Sequence, residues 1–239
     1  MEYQSVFKRY ELKFMLTNTQ KELLLKTMEP YMLPDQFGQT TIRNIYFDTD
    51  NYRLIRQSIE KPVYKEKLRI RSYARAKEDS PVFVELKKKY KSVVYKRRTV
   101  MTEQQAIAWL CENQSPPERS QITDEIAYFC EFYGTLHPAV FLSYERQAYY
   151  SSAGADFRVT FDKNILFREE DISLTSEVWG TPLLKEGMVL MELKTPGSIP
   201  LWMTQFLTEQ KLYKTSFSKY GSAYCNYIWK ANKGAYGYV

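Results

Sequence analysis

Hydrophobic and polar residues alternate along several segments of the chain, and a period of two is typical of β-strands with one apolar face. In the segment EKLRIRSY (66–73), Leu68 and Ile70 alternate with Lys67, Arg69 and Arg71. The same alternation occurs in KRYELKF, SPVFVELKKK, VVYKRRTV, FLSYERQAY, DFRVTFDK and MVLMELKTP. Each of these predicted strands has an apolar face and a charged face that is mostly positive.

Other segments have apolar residues at helical spacing. They cover about residues 18–31, 102–113, 122–134, 200–212 and 219–230. Thr102 with Gln105 fits a capping box, and Pro200 fits the first turn of a helix. The apolar stripes of these helices are expected to cover the apolar face of a sheet.

The charged strand faces have two interpretations. A sheet with one buried apolar side and one solvated side explains the alternation in a few strands. The recurrence of Arg, Lys and Glu in nearly every strand favours a surface that binds a ligand. We therefore expect an α+β fold, in which a closed antiparallel β-barrel has a charged interior and amphipathic helices on its outside. An anion of high charge density, such as triphosphate or a phosphate chain, suits such an interior.

Length and composition agree with a folded globular protein. The chain has 239 residues, of which 44% are hydrophobic and 15% aromatic, and we expect one domain over residues 1–239. A net charge of +6 weakly favours an anionic partner. No apolar run approaches the ~18 residues of a transmembrane segment, and the first residues lack the apolar core of a signal peptide. The three cysteines have no metal-ligand spacing, so we expect reduced thiols and a cytoplasmic location.

Several other functions find little support in the sequence. The aromatic residues lie within strand and helix patterns, and no basic helix stands out, so we expect no nucleic-acid binding. Glycine-rich phosphate loops of the G-x-x-x-x-G-K-[ST] and G-x-G-x-x-G types are absent. Ser218 has two compatible interpretations: it caps the last helix, or it closes one end of the barrel over a phosphate together with Lys219.

In several of its segments the chain resembles the VTC-type polyphosphate polymerase domains, named for the vacuolar transporter chaperone complex, within the CYTH-like triphosphate tunnel superfamily. The matching segments occur in family order between about residues 7 and 224: FKRYELKF, YFDT, KLRIRSY, VFVELKKK, YKRR, YERQAY, FRVTFD, LMELKTP and SFSKYG. The resemblance implies a β-tunnel with inward-pointing cations. It also implies transfer of the γ-phosphate of ATP to a growing inorganic polyphosphate chain, with release of ADP. A membrane-protein partner is not visible in the sequence.

The resemblance also assigns roles to individual residues. The phosphate-binding, catalytic cations correspond to Lys13, Arg69, Arg71, Lys87, Lys96, Arg146, Arg158 and Lys219. Glu192 corresponds to the carboxylate that holds a divalent metal, Mn²⁺ or Mg²⁺, whose preference for oxygen ligands suits it. Further substrate contacts are expected from Arg9, Glu11, Lys67, Glu85, Arg98, Tyr144, Lys194 and Ser218.

The first strand departs from the tunnel triphosphatases, which typically begin with E-x-E-x-K. Here the segment reads Arg9-Tyr10-Glu11-Leu12-Lys13, so a cation replaces the first carboxylate. This weakens, without removing, the alternative of a triphosphatase that hydrolyses tripolyphosphate or nucleoside triphosphates. A non-catalytic polyphosphate-binding module is the third possibility.

Overall fold

The computed structural model describes residues 10–91 and 93–230, and one large antiparallel sheet dominates them. Its strands are β1 (Tyr10–Thr17), β2 (Met32–Asp48), β3 (Tyr64–Ser72), β4 (Pro81–Tyr90), β5 (Val93–Thr102), β6 (His137–Ser151), β7 (Arg158–Arg168), β8 (Thr181–Pro182), β9 (Met188–Thr195) and β10 (Lys214–Thr215). The helices are α1 (Asn18–Met28), α2 (Arg53–Ile59), α3 (Glu103–Cys111), α4 (Gln121–Tyr133), α5 (Leu201–Glu209) and α6 (Lys219–Ala223), which continues as a π-helical turn over Tyr224–Ile228. None of these helices is both long and apolar enough to cross a bilayer.

The sheet runs in the order β10-β1-β9-β7-β6-β2-β3-β4-β5, and β8 pairs with β7. Strands β3, β4 and β5 are successive neighbours, so their charged positions come into register. Lys67 lies opposite Lys87, and Lys87 lies opposite Lys96. Like charges in directly opposed positions destabilise a sheet. The lysines on this face therefore do not serve the stability of the sheet, which favours a role in binding.

Backbone hydrogen bonds among the described residues do not close the sheet, so the predicted closed barrel is not confirmed. Strand β1 pairs with β10 at Lys13 and Phe14, and this pairing occupies the edge that β5 would need there. The β1 and β5 backbones still approach to within 8 Å between Cα atoms. A side chain of β4 also reaches β1, because Lys87 Nζ lies 3.0 Å from the Glu11 carboxylate.

Helices cover the apolar face of the sheet, as the alternation predicts. On one side, Leu68 and Leu86 are fully buried in a cluster that includes Trp109 of α3 and Phe129 of α4. On the other, Met191 is fully buried in a cluster with residues of α1 and α5. The apolar positions of the strands thus face the helices, and the charged positions face away from them.

The helix boundaries follow local capping signals. The Thr102 hydroxyl accepts a hydrogen bond from Gln105 N, and the Gln105 side chain accepts one from Thr102 N, which confirms the predicted capping box. Pro200 directly precedes α5. Helix α2 was not predicted. It begins after Asp48, whose carboxylate accepts hydrogen bonds from Leu54 N and Ile55 N.

A candidate polyanion-binding cavity

The charged face of the sheet lines a cavity of about 1660 Å³. Sixteen lysine and arginine residues and three acidic residues line it, so its surface is strongly positive. The predicted site residues found there are Glu11, Lys13, Lys67, Arg69, Arg71, Lys87, Lys96, Arg98, Tyr144, Arg146, Arg158, Glu192, Lys194, Ser218 and Lys219. Arg9 lies outside the described residues.

Strand β3 contributes a row of cations, each of which donates to a hydroxyl group. Lys67 Nζ donates to Ser218 Oγ at 3.2 Å. Arg69 Nη1 donates to the Tyr46 hydroxyl at 2.8 Å, and Arg71 Nη2 donates to the Tyr144 hydroxyl at 3.0 Å. The hydroxyl groups orient all three side chains, and a carboxylate, that of Glu85, pairs with the two arginines.

Glu85 requires a correction, because it was predicted to contact substrate and its side chain is completely buried. Its carboxylate lies 2.7 Å from Arg69 Nη2 and 2.6 Å from Lys96 Nζ. Burial raises the pKa of Glu85, but Arg71, Arg69 and Lys96 together hold it well below the usual range. Glu85 therefore acts as a counter-ion behind the cavity wall and has no surface to offer a ligand.

Asp162 is a site residue that the sequence analysis missed. Its side chain is fully buried, and its carboxylate accepts two hydrogen bonds of 2.6 Å from the Arg146 guanidinium and one of 2.6 Å from Lys219 Nζ. Burial raises the pKa of Asp162, but the lowering by Arg146 and Lys219 is larger in total. The pKa therefore falls below its usual value, and Asp162 stays ionised. The only signal in the sequence was its place in DFRVTFDK, on the same face as Arg158.

Glu192 differs from Glu85 and Asp162 because it lines the cavity and is surrounded by four cations. The distances from its carboxylate oxygens are 3.3 Å to Lys219, 3.4 Å to Arg146, 3.5 Å to Lys13 and 3.6 Å to Lys194. Burial raises its pKa, but the cations, with Lys219 the strongest, hold the pKa well below the usual value. Glu192 is thus an ionised carboxylate within an otherwise cationic surface.

A metal ion at Glu192 would need most of its ligands from phosphate and water. Among the described residues, no three His, Cys, Asp or Glu side chains are grouped to hold a metal ion by themselves. Mg²⁺ commonly binds one or two carboxylates together with substrate phosphates and water. Glu192 would be the protein ligand for such an ion. When bound, the ion would neutralise phosphate charge and polarise a phosphoryl oxygen.

Crowding of the cations lowers the pKa of several lysines. Burial, with repulsion from Lys13 and Lys65, lowers the pKa of Lys67 to about 7. Burial and Arg146 lower that of Lys194 to about 7. Burial also lowers the pKa of Lys96 to about 8, although Glu85 opposes the shift. An anion bound beside these lysines would favour their charged forms and raise their pKa values again.

Helix α6 begins at the cavity wall, where Ser218 caps it as predicted, whereas closure over a phosphate stays a prediction. Ser218 Oγ caps the helix by accepting from Gly221 N at 3.2 Å. The same oxygen accepts from Lys67, while Lys13 Nζ donates to the Phe217 carbonyl at 2.9 Å. The residues before α6 thus fix two cavity lysines in place.

Arg158 and Lys87 occupy more open parts of the cavity. The Arg158 side chain is 44% exposed, and its guanidinium lies 3.9 Å from Asp35. Lys87 pairs with Glu11. Burial raises the pKa of Glu11, but Lys87 together with Lys194 and Lys13 lowers it to about 2. Neither Arg158 nor Lys87 has its charge buried, which leaves both accessible to a ligand.

Cations on the other face of the same strands behave differently. Lys88 Nζ lies 3.4 Å and Arg97 Nε 3.2 Å from the carboxylate of Glu125 in α4. These residues do not line the cavity. One face of β4 and β5 therefore binds helix α4, and the other face lines the cavity.

Comparisons with known proteins place this geometry in a family. The VTC domain model matches residues 8–228, whereas no curated protein matches the chain. A crystal structure of a "putative adenylate cyclase" from Bacillus halodurans has a TM-score of 0.58 and 14% identity, and the alignment covers 90% of this chain and 96% of that one.

Two further structures have TM-scores of 0.43 and 11% identity. They are a "putative adenylate cyclase" from Vibrio parahaemolyticus (88% of this chain, 94% of that one) and the Mediator head module of Schizosaccharomyces pombe (86% and 92%). The Bacillus halodurans likeness concerns the fold. The family match spans nearly the whole chain and confirms the resemblance found in the sequence, so this chain belongs to the VTC domain family.

Proposed function

We propose that the chain is a metal-dependent polyphosphate polymerase, which transfers the γ-phosphate of ATP to the end of an inorganic polyphosphate chain. The bond between the γ-phosphorus and the β,γ-bridging oxygen breaks, and a bond forms between that phosphorus and a terminal oxygen of the polyphosphate. ADP leaves, and the chain is longer by one phosphate. The observation that carries this proposal is the large cavity whose charged lining is dominated by lysine and arginine.

Phosphoryl transfer depends mainly on positioning and on neutralisation of charge, and the cavity residues suit both tasks. Arg69 and Arg71 present guanidinium groups that bind phosphate oxygens well. Arg146 and Lys219 are held by the buried Asp162, so they need little reorganisation during the reaction. The acceptor is itself a phosphate oxygen, and no enzyme nucleophile is required.

The carboxylates favour transfer over hydrolysis at a two-metal site. Glu11 is engaged with Lys87, and Glu85 and Asp162 are buried behind cations. Glu192 is then the best-placed protein ligand for a metal. A single ion that is shared with the triphosphate fits this arrangement better than a pair of ions held by several carboxylates.

Incubation of the purified chain with ATP and Mn²⁺ tests the proposal directly. The products are separated on a polyphosphate-stained gel and by nucleotide chromatography. We expect a ladder of polyphosphate together with an equivalent amount of ADP. Arg69→Ala should abolish the ladder, and Arg97→Ala, which alters a cation on the helix-facing side, should leave it intact.

Other products would identify the alternative functions. Orthophosphate without polymer would indicate a tunnel triphosphatase. Unchanged ATP together with measurable affinity for polyphosphate would indicate a binding module. Either outcome would overturn the polymerase assignment.

A further inference from the structure

An aromatic cluster continues the row of cations at one end of the cavity. Tyr73 directly follows β3 and occupies the next inward position after Arg71. Its ring centroid lies 5.4 Å from that of Phe83, with the planes at 81°. Arg98 Cζ lies 4.4 Å from the centroid of Phe83, so this ring has a guanidinium over one face. All these residues line the cavity.

Tyr73 differs from the tyrosines that are deeper in the cavity wall. Tyr144 and Tyr220 are each only 3% exposed, and their hydroxyls have hydrogen-bond partners in the wall. Tyr73 is 42% exposed. An aromatic ring with a solvent-accessible face beside a cationic groove is a platform on which a nucleobase can stack.

The opposite end of the same pair of strands has a different chemistry. Lys65 and Lys89 lie directly opposite each other there and both line the cavity. Tyr73 is eight positions after Lys65, which corresponds to about 26 Å along a strand. One end of the β3–β4 pair therefore suits phosphate alone, and the other combines cations with exposed aromatic surface.

The spacing along β3 connects the aromatic cluster to the phosphate-binding cations. Inward positions are two residues apart, so Arg71 and Tyr73 are separated by about 7 Å along the strand. Arg69 lies one such step further inside. A nucleotide with its phosphates against Arg69 and Arg71 can place its base beside Tyr73.

We propose that Tyr73, supported by Phe83 and Arg98, stacks the base of the nucleoside triphosphate donor. The inference rests on the proposed function, because it assumes that a nucleotide supplies the phosphate. Stacking on one ring selects for a large aromatic surface and not for particular hydrogen-bonding groups. ATP and GTP should therefore bind with similar affinity, and both should bind more tightly than UTP.

Calorimetric titration of ATP, in the form of its β,γ-imido analogue that resists transfer of the γ-phosphate, and of inorganic tripolyphosphate, in the same excess of Mg²⁺, separates the base from the phosphates. Tyr73→Ala should weaken ATP binding by roughly fivefold or more, since stacking on an aromatic side chain contributes on the order of 1 kcal/mol or more. Its affinity for tripolyphosphate should stay unchanged. Tyr73→Phe should retain the ATP affinity. Tyr90→Ala is the matched control, because Tyr90 is 44% exposed on the same pair of strands but does not line the cavity.

The outcomes distinguish this inference from the proposed function. Equal ATP affinities of Tyr73→Ala and the parent would overturn the base site and leave the phosphate cavity standing. Equal losses of ATP and tripolyphosphate affinity would show that Tyr73 only shapes the wall, which also overturns it. If the parent chain bound neither ligand, the proposed function itself would fall.

Discussion

Asp162 and Arg146 lie directly opposite each other on β7 and β6 and meet through two hydrogen bonds of 2.6 Å. Lys219, from the start of α6, reaches the same carboxylate. One fully buried acidic group thus joins two strands and the last helix at the cavity wall. It also fixes two cations whose other atoms face the cavity.

Asp162→Asn should destabilise the chain and weaken its binding of anions. Removing one partner of a buried ion pair costs about 3–5 kcal/mol, because the other charge stays buried without compensation. Thermal unfolding and tripolyphosphate titration measure both effects. Glu145→Gln is the matched control, since Glu145 pairs with Lys163 in a more exposed position and should contribute less than about 1 kcal/mol. Similar melting temperatures for Asp162→Asn and Glu145→Gln would contradict the central role of Asp162.

Glu192→Gln should reduce metal-dependent turnover more than it reduces tripolyphosphate binding without metal. The substitution keeps the shape of the side chain but removes the negative charge that attracts Mn²⁺ or Mg²⁺. The substitution also removes the carboxylate that partly neutralises the neighbouring cations. The affinity for anions in the absence of metal should therefore rise or stay constant. Activity is measured across a metal titration. A mutant with the same metal dependence and the same maximum rate as the parent would remove Glu192 from the metal site.

Tripolyphosphate should raise the melting temperature more than sulfate at the same ionic strength. One linked anion can engage several cavity cations, and a ligand that binds only the folded state at ~100 times its dissociation constant stabilises that state by roughly 2.7 kcal/mol. General screening depends only on ionic strength and acts on all salts alike.

Arg69→Ala should reduce the shift caused by tripolyphosphate, and Arg97→Ala should not. Arg97 is a suitable control because it binds Glu125 on the helix-covered face. Equal shifts from sulfate and tripolyphosphate in all three proteins would argue for a merely basic surface.

The stability of the ligand-free chain should rise with pH between 7 and 8.5. The pKa of Lys67 is about 7 in the folded chain and near 10.5 when unperturbed. Between these values the unfolded state binds more protons, so the free energy of unfolding increases as pH rises. Lys67→Met should reduce the slope, which denaturant unfolding at several pH values measures. An unchanged slope would show that Lys67 is charged in the empty cavity.

Triphosphate binding at pH 8 should be accompanied by proton uptake. An anion beside Lys67 favours its charged form and raises its pKa again. Titration calorimetry in buffers of different ionisation enthalpy measures the number of protons taken up. The uptake should be smaller at pH 6, where Lys67 is already protonated, and smaller in Lys67→Met at pH 8. Equal uptake at both pH values would contradict this coupling.

Alternation along the strands predicted the side of the sheet on which the cavity residues lie, but not that Glu85 on that side is completely buried. Lys67, Arg69 and Arg71 share a face because side chains in a strand alternate, whatever the strand pairs with. Their partners were not predictable in this way. Asp162 could be matched with Arg146 only after the register of β6 and β7 was known, and register depends on turns and bulges along the whole hairpin.

Strand β2 and helix α2 show where local patterns are weak. Pro34 and Gly38 interrupt the alternation of β2, and its pairing with β6 shifts register between Pro34 and Gln39. Helix α2 spans only Arg53–Ile59, too few residues for a clear helical period. Closure of the barrel could not be predicted from local sequence patterns either, because it depends on whether β10 or β5 pairs with the edge of β1.

The apolar side chains of the strands are buried on the helix-covered face of the sheet, which affects the substitutions that such a protein can accept during evolution. In a β-barrel whose interior is the hydrophobic core, substitutions of inward-pointing residues alter core packing and reduce stability. Here Leu68, Leu86 and Met191 belong to apolar clusters with helix residues, while Lys67 and Lys87 on the opposite face line the cavity. Exposed cavity residues can therefore be exchanged without creating voids in the core. The same scaffold is free to acquire a different ligand preference through substitutions at these inward positions.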